Sequence, residues 1–159
     1  MNDQHSSPDF LASGLRTVRV ESAAVQRLQQ AINADFARAC ELLLRCEGRI
    51  IVTGMGKSGH IGRKIAATLA STGSPAFFVH PGEASHGDMG MITKRDVVVA
   101  LSNSGSTAEV VTLLPLIKRM GVALISMTGN AQSTLAQASD VHLDASVESE
   151  ACPLDLAPT

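Results

Sequence analysis

Arg49-Ile50-Ile51-Val52-Thr53-Gly54-Met55-Gly56-Lys57-Ser58-Gly59 is the stretch on which the fold turns. Ile50, Ile51 and Val52 are apolar without alternation, as a strand covered on both faces must be. Glycines follow at once, and apolar residues then recur at helical spacing from Ser58 to Ser71. Strand, glycine loop and helix in immediate succession are the opening of a β-α-β unit, so parallel strands are expected downstream.

Reading toward the C-terminus, Ala76 to Val79, Val97 to Leu101, Ala123 to Met127 and Val141 to Leu143 repeat the short β-branched pattern. Thr107 to Met120 and Gln132 to Ala138 are the helices between them. The expected fold is α/β, a five-stranded parallel sheet of the doubly wound type. Pro115 falls inside the stretch from Thr107, and the apolar stripe Val110, Val111, Leu114, Ile117 predicts one helix that bends there and continues. Toward the N-terminus, Val18, Val25, Leu28, Ile32, Phe36, Ala39 and Leu43 recur at helical spacing, interrupted near Asn33 and ended by Gly48. Two consecutive helices or one long bent helix are expected. No closing helix follows the fifth strand, so one sheet face needs the N-terminal helices or another subunit to cover it. The expected domains are a helical segment over 1–48, packing on the sheet domain, and the sheet domain itself over 49–159.

The 159 residues are 45% hydrophobic and 18% charged with a net charge of −2, as suits one globular domain. Near-neutral charge, no run of Lys or Arg and 3% aromatics argue against a nucleic-acid partner. No apolar run approaches the roughly 20 residues needed to cross a bilayer, and residues 1–9 lack the basic and apolar regions of a secretory signal, so no membrane partner and a cytoplasmic location are expected. Cys40, Cys46 and Cys152 suggest neither a disulfide framework nor a zinc site.

Three loops carry chemistry. In Gly54-Met55-Gly56-Lys57-Ser58-Gly59 the glycines let backbone N–H groups approach an anion at a helix start. The nucleotide-binding P-loop pattern fails here because Ile51 stands where its first glycine belongs, and the dinucleotide pattern lacks its acidic residue after strand two, where His80 and Pro81 stand. In Ser102-Asn103-Ser104-Gly105-Ser106-Thr107, hydroxyls and amides at a helix start can surround a phosphate, or Ser104 or Ser106 can simply cap the helix with Glu109 completing a capping box. In a 2-1-3-4-5 sheet both loops open on one crevice, where strands one and three are neighbours. The third stretch, His80 to Asp88, offers His86 as an acid or base, while His60, His80 and His142 fit solvated or hydrogen-bonded structural roles. His80, His86 and Asp88 lack recognised metal-ligand spacing, and no metal is expected. Glu148 and Glu150, beyond strand five, are carboxylates that could move a proton between adjacent carbons, or ordinary solvated acids.

At these loops the sequence resembles the sugar isomerase (SIS) domain family. TGMGKSGHIGRKIAATLASTG (53–73), FFVHPGEASHGDMGM (77–91), SNSGSTAEV (102–110) and EACPLDLAPT (150–159) carry the likeness, which runs from about Ala39 to Thr159. The resemblance implies a flavodoxin-like sheet, no organic cofactor, and the reversible interconversion of D-arabinose 5-phosphate and D-ribulose 5-phosphate in 3-deoxy-manno-octulosonate synthesis. It assigns phosphate binding to Ser102, Ser104 and Thr107 and catalytic parts to Lys57, His86, Glu109 and Glu150, and Gly56 and Ser58 of the first loop are expected to contact the substrate beside them. His86 is implied to help open the sugar ring, Lys57 to stabilise oxyanion charge with Glu109 beside it, and Glu150, ahead of Glu109, to shuttle a proton through a cis-enediol. Tetrameric assembly is implied as well. Ser106 departs from the Glu common in relatives. The family also continues past the last residue here with a helix and a further histidine, so a chain ending at Thr159 is expected to turn over weakly or not at all. Two rival readings share the fold: an isomerase of another sugar phosphate, and a non-catalytic phosphosugar sensor.

Overall fold

A computed structural model describes residues 9–84, 88–154 and 156. The strands are β1 (Ile50–Gly54), β2 (Ala76–Val79), β3 (Val97–Leu101), β4 (Ala123–Thr128) and β5 (Val141–Asp144). All are parallel and lie in the order β2-β1-β3-β4-β5. Burial follows that order. Every residue of β1 and β3 is buried, whereas the edge strands β2 and β5 are only partly so, which is why the unbroken apolar runs fall in the middle of the sheet.

The helices are α1 (Phe10–Ala31), α2 (Ala34–Leu44), α3 (Gly56–Ser71), α4 (Pro81–Ala84), α5 (Ala108–Val111), α6 (Leu114–Met120) and α7 (Thr134–Ala138), with a 3-10 turn over Asp88–Met91. The chain forms two compact units, one of residues 31–146 and one of 1–30 with 147–159. In the larger unit, Ile51, Val98 and Leu124 face α4 to α7 through Ala84, Val110, Leu113, Ile117 and Leu135. Val52, Val99, Ile125 and Val141 face the other way, onto Ala66 of α3 and Ala39, Leu42 and Leu43 of α2. The sheet face expected to need cover therefore receives α2. Asn33 starts that helix by accepting from the amides of Asp35 (2.8 Å) and Phe36 (3.3 Å), which is the interruption visible in the N-terminal pattern.

The single bent helix expected from Thr107 is corrected to two. α5 stops at Val111, and α6 begins with Pro115 in its first turn. Proline lacks the N–H that would have bonded back to Val111 and its ring collides with that carbonyl, so the chain starts a fresh helix where the proline is tolerated. Gly121, at φ 65°, closes α6 in the left-handed region.

The smaller unit is α1 with the chain after β5. The Arg16 guanidinium donates to the carbonyl of Ala151, and Arg27 lies 3.6 Å from the exposed Glu148 carboxylate. No residue of α1 is buried, and Phe10, Leu11, Leu15, Val18, Val25 and Leu28 present an exposed apolar face. No described helix is long and apolar enough to cross a membrane.

Candidate functional site

The register places the two informative loops side by side. Thr53 of β1 is level with Ala100 of β3 and Gly54 with Leu101, so the chain leaves both strands at the same height. A Cβ on Gly54 would come within 2.9 Å of the Leu101 carbonyl oxygen, and one on Gly59 within 2.6 Å of the Gly54 carbonyl oxygen. Both glycines are thus set by close backbone approach. They bring the start of α3 against the β1 end, with Gly56 and Lys57 exposed and Ser58 half-buried. Met55 occupies the capping position of α3 and its side chain makes no cap bond, so the positive end of a 16-residue helix opens beside the second loop.

That second loop turns on Ser102, buried to 3% exposure. Its hydroxyl accepts from the Gly105 amide (3.1 Å) and lies 2.8 Å from the Thr107 hydroxyl. The Ser104 hydroxyl accepts from the Ser106 amide at 3.2 Å. The helix-cap reading is not what forms: Thr107 holds the capping position of α5, its side chain makes no cap bond and faces Ser102 instead. What results is a small turn rimmed by hydroxyls, with Ser104 exposed and Thr107 half-buried, able to offer neutral donors to an oxyanion.

A second layer, not singled out in the sequence, backs this turn. The Gly129 amide donates to the Asn103 carbonyl (2.9 Å), and the Leu135 amide donates to that of Gly105 (3.0 Å). Gly105 has φ 64°, and a Cβ there would fall on the Ser133 hydroxyl. Ser133, itself buried, caps α7 by accepting from the Ala136 amide. The signal for Ser133 was present, a serine just ahead of an apolar helical pattern. Its partnership with Gly105, well back in the chain, was not.

The remaining sequence candidates are distributed. Glu109 is exposed in the first turn of α5, and among the described residues no ion pair joins it to Lys57. His86 lies outside the described residues. Glu150 belongs to the smaller unit, where it is half-buried. His80 accepts from the Gly82 amide through Nδ1 at 3.2 Å, a local structural bond. Among the described residues no cluster of three or more His, Cys, Asp or Glu side chains is arranged to hold a metal.

A parallel 2-1-3-4-5 sheet with a hydroxyl-rimmed turn after β3 and a glycine loop after β1 sets two anion-friendly loops at one switch point, and the chain belongs to the SIS domain family, whose profile matches residues 43–159. Relatives narrow this further. The chain is 70% identical over 151 residues to the arabinose 5-phosphate isomerase KdsD of Pseudomonas aeruginosa, covering 95% of this chain and 46% of that protein. It is 55% identical over 151 residues to KdsD of Escherichia coli K12, with the same shares. The chain thus spans about half the length of the curated relatives it matches. Among solved structures, an Escherichia coli CFT073 protein in complex with arabinose 5-phosphate superposes with a TM-score of 0.89 at 44% identity, over all of this chain and 82% of that one. The Vibrio vulnificus NanR protein complexed with ManNAc-6P superposes with a TM-score of 0.72 at 26% identity, over 85% of this chain and 50% of that one.

Proposed function

We propose that this chain is the sugar-phosphate domain of an arabinose 5-phosphate isomerase, interconverting D-arabinose 5-phosphate and D-ribulose 5-phosphate in 3-deoxy-manno-octulosonate synthesis. The observation that carries the reading is the paired Ser102 and Thr107 hydroxyls, 2.8 Å apart at the end of β3 and one strand over from the loop bearing Lys57. The likeness to KdsD proteins supports the choice of substrate. Residues 49–159 are read as this domain and 1–48 as a preceding helical segment.

In this reading Ser102, Ser104 and Thr107 grip the phosphate, with Gly56 and Ser58 of the neighbouring loop contributing donors. Because the phosphate is the same in both sugars, its binding energy serves to hold the reacting carbons in place. His86 assists ring opening. Glu150 takes the proton from C2 of the open-chain aldose, leaving a cis-enediolate, and returns it to C1 while the O2 hydroxyl proton passes to O1, so that the cis-enediol stage collapses to the ketose. The proton count is unchanged, and neither cofactor nor metal is invoked. Lys57 meets the oxyanion charge that develops on the enediol oxygens, and Glu109 stands by it. A cytoplasmic location and a tetramer are proposed as well; the exposed apolar face of α1 supports association of subunits.

A coupled assay of ribulose 5-phosphate formation on the full-length protein tests the reading, with Glu150→Gln and Lys57→Ala alongside. Turnover by the wild type that falls by about 100-fold or more in Glu150→Gln is expected. Equal turnover in the two proteins removes the glutamate from its role. A phosphosugar sensor would bind the sugar phosphate and leave the ribulose 5-phosphate level unchanged.

A further inference from the structure

The layer behind the proposed phosphate turn is braced, among other bonds, by the hydroxyl of Thr128. Thr128 is 1% exposed. Its Oγ1 lies 3.0 Å from the Asn130 carbonyl oxygen, 3.1 Å from the Asn130 amide nitrogen and 2.9 Å from His142 Nε2. A hydroxyl offers one proton and two lone pairs. The Asn130 amide can only donate, so it takes one lone pair. The Asn130 carbonyl can only accept, so it takes the proton. The lone pair left over is satisfied only if His142 carries hydrogen on Nε2. With the ring proton on Nδ1 instead, Nε2 and the Asn130 carbonyl would compete for a single proton at a buried oxygen.

From Thr128 the connection to the phosphate turn is short. Thr128 leads directly into Gly129, whose amide holds the Asn103 carbonyl. Asn130, tied to Thr128 at both its amide and its carbonyl, also accepts from the Ser133 amide at 3.0 Å, and Ser133 packs against Gly105. The segment that backs residues 103–105 thus has one buried hydroxyl at the start of its turn, and His142 on β5 lies within bonding distance of that hydroxyl.

We propose that His142 is a positioning residue for phosphate binding, donating from Nε2 to Thr128 and through it fixing the 128–133 segment behind Ser102 to Thr107. The proposal rests on the reading of that turn as the phosphate site. His142 touches no substrate in this scheme; it limits how far the turn can relax when the anion is gripped.

The test uses the full-length protein, with inorganic phosphate binding followed by calorimetry and with KM and kcat for arabinose 5-phosphate. Thr128→Val keeps the shape and removes the hydroxyl, and His142→Ala removes the donor. Each should weaken phosphate about tenfold and raise KM to match, with kcat changed by less than about twofold. Thr128→Ser, and His142→Gln with an amide N–H near the position of Nε2, should restore affinity to within about threefold of wild type. A purely structural histidine would lower the melting temperature and leave phosphate affinity alone, and that result overturns the proposal. So does a glutamine no better than alanine. Should His142→Ala fail to fold, Thr128→Val and Thr128→Ser decide the question. Wild-type protein that binds neither phosphate nor arabinose 5-phosphate sinks the parent reading too, whereas wild-type binding with unaltered variants sinks this inference alone.

Discussion

The hydroxyl oxygens of Ser102 and Thr107 lie 2.8 Å apart, with the Gly105 amide donating to the first of them. One of the two hydroxyl protons bridges the pair, so the other remains to donate outward. In the proposed site, an arriving phosphate would therefore meet a donor already oriented by its neighbour. Ser102→Ala and Thr107→Val should each raise KM for arabinose 5-phosphate by roughly 10–100-fold, the loss of one or two bonds to a charged acceptor. Steady-state kinetics on the full-length protein measure it, and an unchanged KM would place the anion elsewhere.

Gly105 is fixed twice over, by a φ of 64° and by the Ser133 hydroxyl that a Cβ would strike. Gly105→Ala should cost about 2 kcal/mol or more in stability and weaken phosphate binding together. Pairing it with Ser133→Gly, which vacates the space, should recover the packing share of the loss and leave the backbone share. Chemical denaturation of the four proteins of that cycle separates the two.

Asp96, with its side chain 2% exposed, sits just before β3. Burial alone would raise its pKa. The Thr93 and Arg49 amides, the Thr93 hydroxyl and the Arg49 guanidinium, 3.8 Å away, outweigh that and hold the carboxyl below its ordinary 3.8. A depressed value in the fold means that the charged form is favoured there. Its contribution is complete above the unfolded value and is lost as pH falls through the lower folded one. Asp96→Asn should cost about 2 kcal/mol near neutral pH. Urea melts repeated near pH 3 should show the gap to wild type narrowing, and a gap that widens in acid would contradict the sign.

Among the described residues the buried Thr53 hydroxyl has no hydrogen-bond partner, and it lies in apolar surroundings that include Ile51, Val79, Ala84, Met89 and Ile92. Thr53→Val replaces it with a methyl of the same size. A gain of about 1 kcal/mol is expected, a rise in melting temperature of roughly 2–4 °C for a chain of this length. Calorimetry measures it, and destabilisation would reveal a partner that the hydroxyl needs.

The central strands were legible because residues buried on both faces leave unbroken apolar runs, as in Ile50-Ile51-Val52 and Val97-Val98-Val99. The break at Asn33 was visible for a local reason too, since a capping side chain bonds to amides two and three residues on. Pro115 misled because the stripe from Val110 to Ile117 keeps helical spacing across two helices that share one buried face, and spacing alone does not report whether the backbone between them is continuous. The hydroxyls of the turn from Ser102 to Thr107 stood out as a cluster. What holds the turn did not. Gly105 with Ser133, Asn103 with Gly129, and Thr128 with His142 are partnerships between segments far apart in the chain, each made by residues ordinary in their own neighbourhoods.

Because all five strands point the same way, the sheet has two rims with unlike duties. Arg49, stacked 5.1 Å over Phe77 and bonded to Asp96, clasps the rim where strands begin. The loops that would handle ligand spring from the rim where strands end. A protein engineer could therefore refashion the clasped rim for heat tolerance and the opposite rim for a new sugar, treating them as two nearly independent problems set on a common floor.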